Sequence, residues 1–259
     1  MAKCTIFNMD CVKALERMPD ESISCVVTSP PYAANCHTGW SHPKGLYDVH
    51  KDIYNAEAYN DMCVALFNGL GRKLKRTGVV CWNCSYNKSN NEGFLRAICE
   101  IISNTNFTIA DVVSWKKPMA VTVDSPNRLT RICEQIYVLC RRDGYEDFNC
   151  NKPVSSVFNG RNKYGAVFNF IETKKNNDAK QDLNGATFPS ELVSKLLDIY
   201  LQKNVGGYVY DPFMGTGTTG YAACGIGVDS FGSEISAAQC DYAKNRIDDM
   251  FNQCEIVRE

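Results

Sequence analysis

The chain has 259 residues, 44% of them hydrophobic, and a net charge of −1. This length and apolar content suit one substantial core, as a single domain or a domain with an insert. Because the chain is almost neutral, any surface for nucleic acid must be a local basic patch. The opening residues, MAKCTIFNMD, lack a secretory signal pattern, and no apolar run approaches the about 18 residues of a membrane span. A cytoplasmic protein is therefore expected.

The cysteines and histidines do not predict a metal site. The 14 cysteines are scattered through apolar stretches, which is typical of buried thiols rather than a disulfide framework. Cys81 and Cys84 have CxxC spacing, but no second such pair completes a structural zinc site. The three histidines, His37, His42 and His50, share one polar segment that has the character of a surface loop.

The hydrophobic pattern alternates strands with helices along the chain. The expected strands are residues 5–8, 23–27, 79–82, 107–115, 132–140, 208–210 and 230–233. The expected helices are residues 10–18, 54–75, 92–102, 188–201, 217–224 and 236–251. The strand at 23–27 is apolar throughout apart from one serine and one cysteine, as in strands buried on both faces. This order predicts a doubly wound α/β fold with a mostly parallel sheet.

One stretch departs from this pattern. Between residues 144 and 185, Asn, Lys and Asp dominate and the hydrophobic periodicity is interrupted. We therefore expect a single domain over residues 1–259, with residues 144–185 as a small insert that could recognise a target.

A glycine motif near the end of the chain indicates an adenosine-bearing cofactor. The stretch Asp211–Gly220, DPFMGTGTTG, follows a predicted strand, opens a helix and satisfies GxGxxG. Glu234 ends the next predicted strand, where a carboxylate can bind ribose hydroxyls. Little chain follows Gly220, which disfavours the second nucleotide-binding half of a dehydrogenase. S-adenosylmethionine is thus favoured over NAD, and an NAD-dependent oxidoreductase is the alternative.

A second motif, Ser29-Pro30-Pro31-Tyr32, follows the apolar strand at residues 23–27. Taken alone it predicts a turn. Together with DPFMGTG, however, it resembles the amino-group DNA methyltransferases, and the order of the motifs is similar to the beta class. The resemblance covers about residues 4–249 outside the insert and is closest to the N4-cytosine-specific enzymes.

This resemblance implies an S-adenosylmethionine-dependent methyltransferase of Rossmann-like fold. The expected reaction transfers a methyl group to the exocyclic N4 amino group of cytosine in double-stranded DNA, with the target base flipped out. N6-adenine methylation is the runner-up, since a neutral hydroxyl can accept from either amino group. A non-catalytic S-adenosylmethionine-binding module is a third interpretation. A cognate restriction endonuclease is a potential partner, and the oligomeric state is left open.

The chemistry of amino methylation explains the catalytic motif. The amino lone pair is delocalised into the ring, and acceptors around the N–H bonds can draw the nitrogen towards tetrahedral geometry. The Ser29 hydroxyl and the Pro30 carbonyl are suitable acceptors, and Pro30 and Pro31 restrict the backbone that carries them. Tyr32 offers a flat face for an unstacked base. Methylation at cytosine carbon-5 needs a cysteine nucleophile, which the enzymes of that class present in a Pro-Cys pair. The chain contains no such pair, so this reaction is disfavoured.

The resemblance also implies roles for other residues. The segment 186–192 is similar to the one that closes over the methionine end of the cofactor, although Asn184-Gly185 replaces the usual His-Pro before it. Trp115-Lys116-Lys117-Pro118, with the later Arg131 and Glu134, resembles the strand and loop beside the catalytic pocket. The expected cofactor-binding residues are Asp10, Phe188, Pro189, Asp211, Phe213, Gly215, Thr216, Gly217, Thr218 and Glu234.

Overall fold

The structure is a computed structural model that describes residues 2–31, 56–85, 92–120, 122–127, 129–174 and 187–258. Its strands are β1 (Cys4–Asn8), β2 (Ile23–Thr28), β3 (Leu74–Cys84), β4 (Phe107–Lys116), β5 (Cys133–Arg141), β6 (Val154–Phe158), β7 (Arg161–Tyr164), β8 (Phe170–Glu172), β9 (Tyr208–Asp211), β10 (Ser230–Ser233) and β11 (Cys254–Arg258). Its helices are α1 (Cys11–Glu16), α2 (Ala56–Lys73), α3 (Gly93–Asn104), α4 (Ser190–Tyr200), α5 (Thr218–Gly225) and α6 (Ala237–Phe251).

Within the described residues, nine strands form one sheet in the order β11-β1-β10-β9-β2-β3-β5-β4-β8. All neighbours are parallel except β5, which runs antiparallel to both β3 and β4. Buried side chains of α1, α2 and α3 form one apolar cluster, and those of α4 and α5 form another. The predicted α/β fold with a mostly parallel, helix-covered sheet is confirmed.

The strand order reverses between β2 and β9, which lie side by side in the centre of the sheet. From β2 the chain moves to β3 on one side, and from β9 it moves through α5 to β10 on the other. In open α/β sheets, ligands bind outside the carboxyl ends of the strands at such a switch point. Both sequence motifs follow these two strands directly, so the topology places them at the switch point.

The structure departs from the expected elements at the start of β3 and at β11. The helix predicted to reach Lys75 ends at Lys73, and β3 begins at once with Leu74. Leu74 is fully buried and pairs with Ile23 of β2, so sheet packing overrides the helical pattern there. The second departure is β11, which sequence analysis did not predict. It adds to the sheet edge beside β1 as a short, partly exposed strand.

The predicted insert is partly continuous with the main sheet. Residues 142–147 form a 3-10 turn, and β8 pairs in parallel with β4. Between them, β6 and β7 form a separate antiparallel hairpin in which every residue is exposed. Asn159 and Gly160 have φ of 49° and 73°, the left-handed pair that a two-residue hairpin turn requires. Residues 175–186 of the insert lie outside the described residues.

No helix in the described parts of the chain is long and apolar enough to cross a membrane.

Candidate active site

Buried hydrogen bonds tie the carboxyl ends of β2 and β9 together. Thr28 Oγ1 donates to Asp211 Oδ1 at 2.6 Å, although the two residues are 183 positions apart. Thr219 Oγ1 of α5 donates to the carbonyl oxygen of Val27 at 3.0 Å. The serine that follows β2, Ser29, is thereby held beside the loop that follows β9. The two motifs therefore meet at one edge of the sheet.

The glycine loop between β9 and α5 has a shape that requires glycine. Gly215 and Gly217 have φ of 52° and 80°, in the left-handed region that side chains disfavour. A Cβ atom on Gly217 would also lie 2.8 Å from the Cβ of Ala243 in α6. The backbone N–H of Phe213 donates to Asp211 Oδ1 at 3.0 Å, which begins the turn.

Glu234, directly after β10, closes the same loop from the other side. Its Oε2 accepts from the backbone N–H of Gly215 at 2.9 Å, and its Oε1 accepts from that of Ser236 at 2.8 Å. The Asn8 amide donates to the carbonyl oxygen of Glu234 at 2.9 Å and so fixes the backbone. Burial raises the pKa of Glu234 above its usual value, although both backbone hydrogen bonds oppose this. The carboxylate that the sequence spacing singled out is thus in direct contact with the glycine loop.

Asp10 stands at the carboxyl end of β1, next to β10 in the sheet. Its Oδ1 caps α1 by accepting from the N–H groups of Val12 and Lys13 at 2.9 and 3.3 Å. The side chain is exposed at the same edge as Glu234. Its helix-capping role is enough to explain an acidic residue there, independently of any ligand.

Asp211 is a buried carboxyl group, with 2% of its surface exposed. Burial raises its pKa from 3.8 to about 6, while hydrogen bonds from the Thr28 hydroxyl and the Phe213 backbone act in the opposite direction. Its contacts are internal ones that shape the loop. Asp211 is therefore positioned to organise the edge rather than to lie open on it.

Other predicted cofactor residues are packed inside the protein. Phe188 belongs to the apolar cluster of α4 and α5, and Pro189 is the buried N-cap of α4. Thr216 and Thr218 are also buried. Arg246 of α6, which sequence analysis did not identify, donates to the Thr216 carbonyl oxygen and to Thr218 Oγ1, both at 3.1 Å. These threonines connect the glycine loop to α6.

The catalytic motif is described only up to its third residue. Ser29 and Pro31 are half-buried and Pro30 is buried, and all three lie outside regular secondary structure directly after β2. Tyr32 lies outside the described residues, as do the three histidines. On the neighbouring strand, Trp82 pairs with Thr28, so Ser29 leaves the sheet next to the end of β3.

A polar network that sequence analysis did not assemble lies at this end of β3. Asn83 Nδ2 donates to Glu134 Oε2 at 2.8 Å, and Lys117 Nζ donates to Glu134 Oε1 at 3.0 Å. Asn83 and Glu134 are 4% and 8% exposed. The one available signal was a polar residue inside the apolar run Val79–Cys84, since the family resemblance covered only Lys117 and Glu134.

Cys81 and Cys84 cannot share one metal ion in this fold. Cys81 packs in the cluster of α4 and α5, and Cys84 in the cluster of α1, α2 and α3, so they face opposite sides of the sheet. Burial is the main cause of the raised pKa of Cys84, as expected for an inert thiol. Within the described ranges, no group of three or more His, Cys, Asp or Glu side chains could hold a metal ion.

Comparison with known proteins gives relatives and folds of one kind. The type II methyltransferase M.MwoI of Methanothermobacter wolfeii is 29% identical over 227 residues, which are 85% of this chain and 30% of that longer protein. The structure of the PvuII DNA methyltransferase (cytosine-N4-specific) superposes with a TM-score of 0.66, at 18% identity, covering 100% of this chain and 95% of that one. The structure of a DNA modification methylase of Thermus thermophilus, in complex with S-adenosyl-L-methionine, superposes with a TM-score of 0.63 at 20% identity. The match covers 100% of this chain and 98% of that one.

The family model described as DNA methylase, for the N6 and N4 enzymes, matches residues 23–245. This range contains the Ser29-Pro30-Pro31-Tyr32 motif, the glycine loop and Glu234. The resemblance predicted from the sequence is confirmed, and with it S-adenosylmethionine as the cofactor of the family. The chain belongs to the N6/N4 family of DNA methylases.

Proposed function

We propose that this protein transfers a methyl group from S-adenosylmethionine to the exocyclic N4 amino group of cytosine in DNA. One observation carries the proposal: the Thr28–Asp211 hydrogen bond brings the Ser29-Pro30 motif and the glycine loop together at the switch point. A cofactor bound on the loop then lies next to a base bound at Ser29.

The edge offers the cofactor a carboxylate acceptor and a backbone that a ligand can approach closely. Glu234 would accept from the ribose hydroxyls, because each of its oxygens accepts from one backbone N–H group and keeps another lone pair. Gly215 and Gly217 leave room for close approach, and Phe213 is half-buried at the edge, 6.0 Å from the ring of Trp82. S-adenosylmethionine would supply the methyl group from its sulfonium and leave as S-adenosylhomocysteine, while the amino nitrogen loses one proton to solvent. This cofactor needs no phosphate site.

At the base, Ser29 and Pro30 would do the chemical work. Their hydroxyl and carbonyl oxygens are acceptors around the amino group, and they stabilise the nitrogen as it becomes tetrahedral. Pro30 and Pro31 restrict the backbone that carries these acceptors. Tyr32 would stack on the flipped base. Positioning supplies most of the acceleration in such an in-line displacement.

Cytosine is favoured over adenine by the serine at the first motif position. The fold neighbour named as cytosine-N4-specific supports the same choice. N6-adenine methylation by the same edge is the second candidate, because the family includes both activities and a hydroxyl accepts from either amino group.

The hairpin of β6 and β7 is the proposed target-recognition element of the 144–185 insert. An isolated hairpin is marginally stable in water, and this one exposes Val157, Phe158 and Tyr164 at 65%, 60% and 59%. Lys163 Nζ lies 4.8 Å from the centre of the Phe158 ring. Aromatic faces beside cations suit a nucleic acid, where the cation would contact phosphate.

The experiment that tests the function is methylation of mixed-sequence duplex DNA by the purified chain, followed by nucleoside mass spectrometry. N4-methylcytosine as the product supports the proposal. N6-methyladenine would favour the second candidate, and no methylated nucleoside would reject both.

A further inference from the structure

We propose that Asn83 and Lys117, both held by Glu134, form the wall of the target-base pocket that reads the ring edge of cytosine. This inference rests on the proposed cytosine N4 activity and adds the residues that select the base. It concerns the whole pairing edge of the base, which includes the reacting amino group and the two ring positions beside it.

Strand register places the network beside the catalytic motif. Thr28 pairs with Trp82 on the adjacent parallel strand, so Ser29, which follows β2, lies next to Asn83, which is still part of β3. Adjacent strands are about 4.8 Å apart. Asn83 continues the face of Cys81, which shares an apolar cluster with Val27. The network therefore borders the volume above Ser29.

The hydrogen bonds fix how the Asn83 amide is oriented. A carboxylate only accepts, so the Asn83 contact at 2.8 Å from Glu134 must involve Nδ2. The Asn83 Oδ1 atom is then directed elsewhere. Oδ1 is buried and has no hydrogen-bond partner within the described part of the chain. Because an unsatisfied buried acceptor is costly, a donor brought by a ligand would stabilise this arrangement.

Glu134 holds two donors side by side. Asn83 Nδ2 is on one of its oxygens and Lys117 Nζ on the other. Each donor nitrogen has further hydrogens to offer, one on the amide and two on the ammonium group. Towards a ligand the network thus presents an acceptor, an amide donor and an ammonium donor in sequence.

This sequence of groups is complementary to cytosine. The pairing edge of cytosine carries an amino donor, then the N3 acceptor, then the O2 acceptor. Asn83 would accept from the amino group with Oδ1 and donate to N3 with Nδ2, and Lys117 would donate to O2. The second amino hydrogen remains for the acceptors at Ser29 and Pro30.

Adenine satisfies only part of the network. Its edge offers an amino donor and the N1 acceptor, but the third position is a C–H group. The Lys117 ammonium group would then lose a hydrogen-bond partner on entering the pocket, which disfavours adenine. Asn83 thus recognises an aminated ring in general, and Lys117 distinguishes cytosine.

The test uses a duplex in which the cytosine methylated by the wild-type protein has been located. That cytosine is replaced by the C-nucleoside of 2-aminopyridine, which keeps the amino group and ring nitrogen but lacks O2. We expect kcat/KM of the wild type to fall roughly 10- to 100-fold on the analogue, as for loss of a charged hydrogen bond. Lys117→Met should lose a similar factor on cytosine and little more on the analogue.

Two further variants control the test. Lys116→Met removes the neighbouring ammonium group, which pairs instead with Glu172 on the outer strand, and it should leave the ratio of cytosine to analogue unchanged. Lys117→Met leaves the buried Glu134 carboxylate without its cation, so Lys117→Met/Glu134→Gln is measured too. In that double variant the introduced amide carries no charge, and its oxygen still accepts from Asn83.

Each outcome is decisive. Equal wild-type rates on cytosine and on the analogue would overturn the assignment of Lys117, while the proposed cytosine activity would stand. An adenine product from the wild type would overturn the cytosine activity and the Lys117 assignment together.

Discussion

The switch-point edge and the β6–β7 hairpin are held in opposite ways. At the edge, internal hydrogen bonds fix every part of the glycine loop: Asp211 holds its start, Glu234 its middle and Arg246 its end. In the hairpin all residues are exposed, and within the described chain its two strands pair only with each other. The edge is therefore preorganised before any ligand binds, while the hairpin keeps apolar surface available for a partner. Changes at the edge should alter stability and cofactor binding, and changes in the hairpin should alter DNA binding alone.

The largest effect at the edge is expected from the buried charge of Asp211. Its pKa is about 6 in the folded protein against 3.8 ordinarily, so ionising it costs the fold about 3 kcal/mol above pH 7. Asp211→Asn can keep both hydrogen bonds to Oδ1 without that charge. We expect the variant to be more stable than wild type by this amount at pH 8, measured by chemical denaturation.

The pH dependence gives the sign of the Asp211 effect. Below about pH 3 the carboxyl group is protonated in both the folded and unfolded states, so the advantage of the variant should vanish. It should grow between pH 4 and pH 6 and stay constant above. A stability difference that does not change with pH would show that Asp211 is not a buried titrating group.

A smaller effect is expected at Glu234. Glu234→Ala removes the proposed ribose acceptor, and hydrogen bonds to a charged group contribute about 1.5–3 kcal/mol. We expect S-adenosylmethionine affinity to fall accordingly in calorimetry. Glu255→Ala is a matched control, since Glu255 lies on the outer strand β11 and its carboxylate pairs with Lys3. Unchanged affinity in Glu234→Ala would remove this residue from the cofactor site.

The sequence predicted the edge better than the hairpin, for a physical reason. β2 is buried along its whole length, and the glycine loop needs φ values that few residues adopt, so both leave strong local signals. The strands β6, β7 and β11 are short and exposed or partly exposed, and they carry no continuous apolar pattern. Buried strands have a recognisable apolar pattern in the sequence, whereas exposed strands do not.

Contacts between residues far apart in the sequence were the other feature that could not be predicted. Asn83 meets Glu134 across 51 positions, and no local pattern announces that contact. The resemblance to a family did draw attention to Glu134 and Lys117, but it gave them no common partner. Only the pairing of β5 with both β3 and β4 brings the three side chains together.

The smallest effect on stability should come from the hairpin. Lys163→Met removes an exposed cation that lies over the Phe158 ring, and such surface changes usually shift stability by less than about 0.5 kcal/mol. We expect DNA affinity to weaken and its salt dependence to decrease by about one phosphate contact. Unaltered DNA binding at all salt concentrations would separate the hairpin from the DNA surface.

The central claim is that Ser29, held beside the cofactor loop, promotes methyl transfer. Single-turnover methylation by Ser29→Ala, with cofactor affinity measured on the same sample, tests it most directly. Loss of one preorganised polar group at a reacting centre commonly costs about 100-fold or more in rate, and we expect a loss of this order with unchanged affinity for S-adenosylmethionine. Full-rate turnover by Ser29→Ala would contradict the account and reduce the Ser-Pro-Pro-Tyr motif to an ordinary turn at the end of β2.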